Sequence, residues 1–354
     1  MSTPHGDALI AEAPDDTVAF AELKRRMKQA GLLEMQPRYY IVKITLTLAA
    51  FAAGWVAFVW LGDSWWQLAL AVYLAFWAVQ LAYIVHDASH KEITHSKRNT
   101  WIIGYGIADV LLGVSFGWWV THHGRHHANP NHLELDPDIT RRVAIFSPKH
   151  AGLRQGWKRF VVKYQHRLYF PLTTTDTLKL RVASIGAIKR GEVRHQKLEA
   201  ILMAAHFVIF FGAVFWVLPV GQALAFIVVY HALVGAYLGL GFAPNHKGMA
   251  VVEGEPGSWL ERQVLTSRNL RPGPLVDFLY GGLNYQIEHH LFPTMPRNNF
   301  RHARPIVRDF CRIRNLAYTE TGVVGAMRAI TGHLEWASRS LRETPSGGAQ
   351  ATHG

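Results

Sequence analysis

The sequence predicts an all-α integral membrane protein: four transmembrane helices in two hairpins, a re-entrant or interfacial segment between them, and a cytoplasmic helical cap carrying clustered histidines. Three observations lead there. Four apolar runs, about Ile41 to Leu61, Trp66 to Val85, Leu198 to Leu218 and Gln222 to Phe242, each approach the ~20 residues that cross a bilayer as a helix. They pair through very short connections, Gly62-Asp63-Ser64-Trp65 and Pro219-Val220-Gly221, neither of which contains lysine or arginine. The basic residues gather instead in the N-terminal arm, in Lys91 to Lys197 and beyond His246. Basic loops stay on the cytoplasmic side, so those three regions are cytoplasmic and both hairpin tips face outward.

The excess of 37 Lys and Arg over 25 Asp and Glu is therefore mostly topological, and a nucleic-acid partner is not expected. A single cysteine, Cys311, excludes an internal disulfide framework and any multi-cysteine metal site. The composition divides the chain into a cytoplasmic arm (1–38), a membrane domain (39–341) and a flexible tail (342–354).

Taken in order, Asp15, Asp16 and Thr17 ahead of Ala19-Phe20-Ala21-Glu22-Leu23 open a short amphipathic helix that ends in Lys24-Arg25-Arg26-Met27-Lys28. No apolar core follows a basic start, so the arm is not a cleaved signal peptide. A fifth apolar stretch, Trp101 to Val120, is long enough to cross, but it contains Gly104, Gly106, Gly113, Gly117 and Asp109. A crossing there would also put the histidines after it on the wrong side of those before it. It is expected to be re-entrant or interfacial, with Trp118 and Trp119 at headgroup depth. Ser147 to Lys197 interleaves Trp157, Phe160, Tyr164, Leu168 and Tyr169 with basic residues, which predicts amphipathic helices lying on the membrane surface. Trp55, Trp60, Trp65 and Trp66 form an outer aromatic belt.

The histidines carry the chemistry. In Thr121-His122-His123-Gly124-Arg125-His126-His127, residues 123, 126 and 127 stand at i, i+3 and i+4, so on a helix their imidazoles share a face. His86 and His90 lie one turn apart, and Gln286, His289 and His290 repeat the i, i+3, i+4 set. Imidazole suits zinc, copper, nickel and iron. A closed structural zinc site takes four ligands, and this chain offers about twice that number. Two metal ions beside a bilayer point to redox work on hydrocarbon, because side-chain acids and bases cannot take hydrogen from an unactivated methylene.

His86-Asp87-Ala88-Ser89-His90, His123-Gly124-Arg125-His126-His127 and Gln286-Ile287-Glu288-His289-His290 resemble, in order and spacing, the three histidine boxes of the membrane fatty acid desaturases. Asn284-Tyr285, the glutamine of the third box and Leu291-Phe292-Pro293-Thr294-Met295-Pro296-Arg297 most resemble the front-end branch and bacterial acyl-CoA or acyl-lipid relatives. The resemblance spans roughly residues 40 to 310. It implies two iron ions held by His86, His90, His123, His126, His127, His289 and His290. His246, in the place of the family's histidine after the fourth crossing, is the implied eighth ligand, and Gln286 touches metal directly or through water. His122 falls outside the matching pattern. Asp87 and Glu288 either accept imidazole N–H groups or are solvent-facing caps, and Asn284 is a further outer contact. His206 and His231 are expected to make hydrogen-bonded helix–helix contacts, and His95, His132, His150, His166, His195 and His302 to be surface or loop residues.

The implied activity is oxygen-dependent desaturation of a fatty acyl chain, on CoA or on lipid, giving a cis double bond with O2 as co-substrate. A lipid or alkane hydroxylase using the same site is the alternative. A non-catalytic metal-binding or transport protein would line its crossings with polar groups, and these contain chiefly His206 and His231. The chain lacks the His-Pro-Gly-Gly heme motif of a fused cytochrome b5 domain, so the expected electron donor is a separate ferredoxin or flavin-dependent reductase. The expected location is a bacterial cytoplasmic membrane, multi-pass, with the active site on the cytoplasmic side.

Overall fold

The computed structural model describes residues 16–140, 143–254 and 258–342. Residues 1–15 and nearly all of the expected tail lie outside the described residues.

Helix α1 (Asp16–Gln29) precedes a hairpin of two long helices, α2 (Pro37–Leu61) and α3 (Gln67–Ser89). Proline at the first position starts α2, where a missing N–H is no loss. Gly62, with φ 63°, ends it in the left-handed region. The Gln67 amide then donates to the carbonyls of Phe58 and Gly62, each at 2.8 Å, and closes the turn.

Helix α4 (Lys97–Gly104) continues as a π-helical turn, Tyr105–Leu112, before α5 (Phe116–Ala128). The two arms meet at 107°, the bend of a broken span or re-entrant loop. Gly113 makes the bend: its φ is +68°, and a Cβ there would lie 2.3 Å from His206. Ser115 caps α5 by accepting from the Trp118 N–H at 3.0 Å. Short α6 (Pro137–Thr140), α7 (Gly156–Lys163), α8 (Gln165–Thr173) and α9 (Asp176–Lys189) lead to the second long hairpin, α10 (Gln196–Val217) and α11 (Val220–His246). Four helices are long and apolar enough to cross a membrane: α2, α3, α10 and α11. The protein is an integral membrane protein with α3 and α11 packed together at its centre.

The amphipathic stretch differs in part from expectation. Helix α7 does leave Trp157 and Phe160 exposed. In contrast, α8 and α9 are both docked on α11, and α9 also on α10. A Cβ at Gly235 would lie 2.6 Å from the Thr174 carbonyl, so glycine lets the backbone between α8 and α9 touch α11. Arg181, buried, donates to His231 Nε2 at 2.9 Å, His206 Nε2 at 3.0 Å and the Leu112 carbonyl at 3.0 Å. The two intramembrane histidines thus make helix–helix contacts, through one guanidinium that also holds the re-entrant turn.

The cap is completed by α12 (Trp259–Leu265), α13 (Pro274–Leu279), α14 (Gln286–Leu291), α15 (Phe300–Ile313) and α16 (Val323–Ala337). Two-residue strands β1 (Asn269–Leu270) and β2 (Glu320–Thr321) pair in parallel. Helix α1 buries Ala19, Leu23 and Met27 against Leu260, Val264, Val307 and Phe310, so the N-terminal arm is built into the cap core. His132 is not a surface residue: it is 2% exposed, because its loop bridges to Val252 and its Nε2 reaches the Gly254 carbonyl at 2.8 Å.

Candidate metal centre

Helices α3 and α11 run on beyond their apolar segments, and their last turns carry His86 and His246 into the cap; His90 caps α3. Helix α5 enters from the re-entrant turn with His123, His126 and His127, and α14 supplies Gln286, His289 and His290. All eight histidines converge.

They divide into two groups. His86, His90, His123, His127 and His289 each offer a ring nitrogen, and the five atoms lie within 4.8 Å of one another; His126, His246 and His290 form a second such set. The groups touch where the rings of His127 and His290 stack with centroids 4.2 Å apart. Within them Nε2 faces Nε2, at 3.2 Å for His123 and His127, 3.1 Å for His127 and His289, and 3.3 Å for His126 and His246. Neutral imidazoles brought together this way set lone pairs against each other unless a proton or cation lies between. The Nε2 atoms of His86, His90 and His290 are buried without a hydrogen-bond partner among the described residues. Such orphaned acceptors are unfavourable in a buried site and fit a cation. An all-imidazole donor set suits a first-row transition metal, iron among them. Gln286 Nε2 lies 2.8 Å from His246 Nε2, and its Oε1, buried without a hydrogen-bond partner among the described residues, is the amide atom that could serve a cation beside the three-histidine group.

The outer nitrogens are held unequally. His126 Nδ1 faces both oxygens of the buried Asp136, at 3.1 and 3.0 Å, and Asp136 is itself fixed by the N–H groups of Asn131 and Asp138, each at 2.8 Å. His246 Nδ1 donates to the Thr266 carbonyl at 3.0 Å, and His290 Nδ1 to Gln263 Oε1 at 2.8 Å. Each of these bonds fixes the tautomer that leaves Nε2 free to ligate. In the five-histidine group the nearest acid to His289 Nδ1 is Glu92, at 3.9 Å. Burial, and then the neighbouring imidazoles, hold His289 and His290 well below the ordinary histidine range; burial pushes His90 down to about 3. Rings kept neutral present a lone pair that could ligate at any physiological pH.

Several expected residues do other work. His122 belongs to neither group and its Nε2 meets Asp138 at 3.0 Å. Asp87 is no solvent-facing cap: it is buried, its Oδ2 accepts from Arg297 Nε at 2.5 Å, and its other oxygen stands 3.6 Å from His86 Nδ1. Glu288 accepts from Asn269 Nδ2 and the Tyr318 hydroxyl, both at 2.7 Å, and among the described residues meets no imidazole. Adjacent helical residues point ~100° apart, so Glu288 is turned away from the centre that His289 faces. Asn284 donates to Asp277 Oδ1 at 2.7 Å and braces the loop before α14. The residues that sequence reasoning missed are Asp136, Gln263, Thr266 and Glu92. Only Asp136 and Glu92 left a signal, as acids close after a histidine cluster.

Fold and centre together define a multi-pass membrane protein with a two-site polyhistidine centre at the cap ends of its crossing helices. The sequence profile described as "Fatty acid desaturase" matches residues 63–322, and the chain belongs to that family. It is 28% identical over 351 residues to an acyl-lipid (9-3)-desaturase of Physcomitrium patens, covering 95% of this chain and 66% of that protein. It is 29% identical over 347 residues to a Delta 8-(E)-sphingolipid desaturase of Emericella nidulans (91% and 62%), and 26% identical over 314 residues to a Delta(5) fatty acid desaturase of Caenorhabditis elegans (85% and 69%). The chain thus spans less than two thirds of the length of the first two of these relatives.

Proposed function

We propose that this protein is an oxygen-dependent membrane fatty acyl desaturase that introduces a cis double bond at a di-iron centre facing the cytoplasm. The observation that carries the reading is the convergence of eight imidazoles, six buried and those of His90 and His127 partly so, into two touching groups at the inner ends of α3, α5, α11 and α14. His86, His90, His123, His127 and His289 would hold one iron; His126, His246 and His290, with the Gln286 amide, would hold the other. When bound, the pair supplies the oxygen-dependent redox chemistry that removal of hydrogen from adjacent methylenes requires.

The chain's own residues bind, orient and exclude water. Asp136, Gln263 and the Thr266 carbonyl fix the tautomers of the three-histidine site. Trp119, stacked on His123 with centroids 4.7 Å apart, and Phe242, beside His86, wall the centre with apolar surface on its membrane side. An acyl chain approaching from lipid would meet that wall first. Electrons would come from an acidic ferredoxin or a flavin-dependent reductase drawn to the basic cap. The support for this donor is charge alone: the chain carries +12 at neutral pH, and its basic residues lie on the cap side.

The test is the fatty acid profile of a host expressing the chain with a ferredoxin and reductase, beside a His290→Ala control. A species two mass units lighter than its precursor, absent from the control, is expected. Hydroxylated products would replace this reading by hydroxylation at the same centre. Unchanged lipids with a fully iron-loaded protein, over a panel of donors and acyl carriers, would overturn it.

A further inference from the structure

A basic cap attracts an acidic donor without saying where its electrons enter; helix α12 supplies the place. Its Gln263 is buried and bonded to a residue of each histidine group: Oε1 accepts from His290 Nδ1 at 2.8 Å, and Nε2 donates to the His127 carbonyl at 3.0 Å. Trp259, one turn earlier on the same helix, is 38% exposed. One helical turn, about 6 Å of rise, and one hydrogen bond therefore join a surface indole to a ring of the centre. A line of stacked rings runs beside this path. Trp259 meets Phe20 of α1 edge-on with centroids 4.8 Å apart, and Phe20 stacks at 5.4 Å on Phe292, two residues past His290. Electron tunnelling falls off exponentially with distance, so a surface this directly connected to the centre is an efficient point of entry.

The charge around Trp259 says what kind of partner fits. On α1, Lys24 and Lys28 follow Phe20 at i+4 and i+8, so they continue the strip that carries it, and both are exposed. Arg262, three residues on from Trp259, donates to the Ala128 carbonyl at 3.3 Å and so brings α12 against the end of α5, where Arg125 is exposed. Of the acids nearby, Asp16 accepts from the Ser258 hydroxyl and lies 4.0 Å from Arg314, Glu22 is paired with Arg25 and Arg26, and Glu261 is exposed. An aromatic centre within a cationic rim complements a small acidic protein, because rim charges steer the encounter and the ring is desolvated on contact. Helix α7 also presents aromatic and basic residues, but its buried Val162 packs with Ile145, Ala151 and Ala337, none of which belongs to the centre.

We propose that a small acidic one-electron carrier docks on the face formed by Trp259, Lys24 and Lys28, and that its electrons enter through Trp259 and Gln263. The inference rests on the desaturase reading above and locates on the chain the donor which that reading requires. Each encounter oxidises the carrier by one electron and reduces one ferric ion at the histidines to ferrous. Two encounters supply the two electrons that, with two protons and O2, turn a pair of methylene C–H bonds into one double bond and two waters.

The probe is an acidic [2Fe–2S] ferredoxin added to the full-length protein in detergent. Carbodiimide joins carboxylates to amines in contact with them, and it should link ferredoxin to Lys24 or Lys28 in the wild type, iron-free or iron-loaded, as read by peptide mass spectrometry. Lys24→Glu with Lys28→Glu should weaken ferredoxin binding about tenfold at low salt while iron content stays at the wild-type level. Trp259→Leu, at saturating reduced ferredoxin, should slow ferredoxin reoxidation severalfold and leave reduction by methyl viologen unchanged. Cross-links confined to Lys149, Lys158 and Lys163, cross-links joining two copies of this chain, or binding unmoved by the double variant would overturn the docking face. Unslowed transfer in Trp259→Leu would overturn the route. Electron uptake at this face without any unsaturated product would count against desaturation alone, and product with ferredoxin linked elsewhere would count against the face alone.

Discussion

Replacing Asp136 by asparagine should separate the two metal sites. The carboxylate is buried and accepts from His126 Nδ1 at 3.0–3.1 Å, while none of the five nitrogens of the other group is bonded to it. Loss of such an outer carboxylate lowers metal affinity about 10- to 100-fold, equivalent to about 1.4–2.7 kcal/mol. The asparagine carbonyl can still accept from the Asn131 or Asp138 N–H, so the loop survives. Metal content per chain is measured after dialysis against graded chelator, with Mössbauer spectra of 57Fe-loaded protein. The wild type should hold two irons to higher chelator than the variant, which should pass through a plateau of one, and Asp136→Glu should restore part of the difference. Simultaneous loss of both irons, or release identical to wild type, would refute unequal anchoring of the two groups. Fewer than two irons in the wild type at saturation would instead refute the di-iron reading.

Other outcomes follow from the same geometry. His127→Ala removes a ring that serves the five-histidine group and stacks on His290, so iron content and unsaturated product should both fall to background; wild-type turnover would remove His127 from the ligands. Gly113→Ala places a Cβ at φ +68° and 2.3 Å from His206, and should lower stability by about 2 kcal/mol or more in thermal unfolding; an unchanged melting temperature would refute that tight bend. The iron-free protein should melt earlier as pH falls from 7 to 5. Buried His90, His289 and His290 stay neutral when folded but titrate near 6.5 when unfolded, so below pH 6.5 each group's depressed folded value withdraws about 1.4 kcal/mol per pH unit until that value is reached. A flat profile would show those rings to be solvated.

The crossings were legible because apolar length is a one-dimensional property. The runs beginning at Ile41 and Leu198 became helices starting at Pro37 and Gln196, a shift of a few residues. At their cap ends α3 and α11 outlast the apolar pattern, as far as Ser89 and His246, because helical hydrogen bonding does not stop where lipid does. The convergence of the histidines was legible from helical spacing. Their division was not: His123 and His127 join one group while His126, on the same helix, joins the other, and only the approach of α11 and α14 decides that. Gln263 and Thr266 were invisible because an amide and a backbone carbonyl carry no motif. The docking of α8 and α9 on α11 was illegible for a related reason. Alternating apolar and basic residues show which face of a helix meets lipid, whereas its inclination is set by partners such as His206 and His231 far along the chain.

Helix α11 has 27 residues and is about 40 Å long, against about 30 Å of hydrocarbon. One helix therefore reaches from the outer hairpin to an imidazole of the candidate centre, and α3 does the same for His86. A tilt of a few degrees would move a 40 Å end by about 3 Å. Ligand spacing survives only if the two rods tilt as one. Their contact is built for that: Gly241 leaves room for the Tyr83 hydroxyl to lie against α11, one turn from the ligands on each side. A tilt of one crossing is thereby shared by the other, with the α3–α11 seam as the part that keeps their cap ends together.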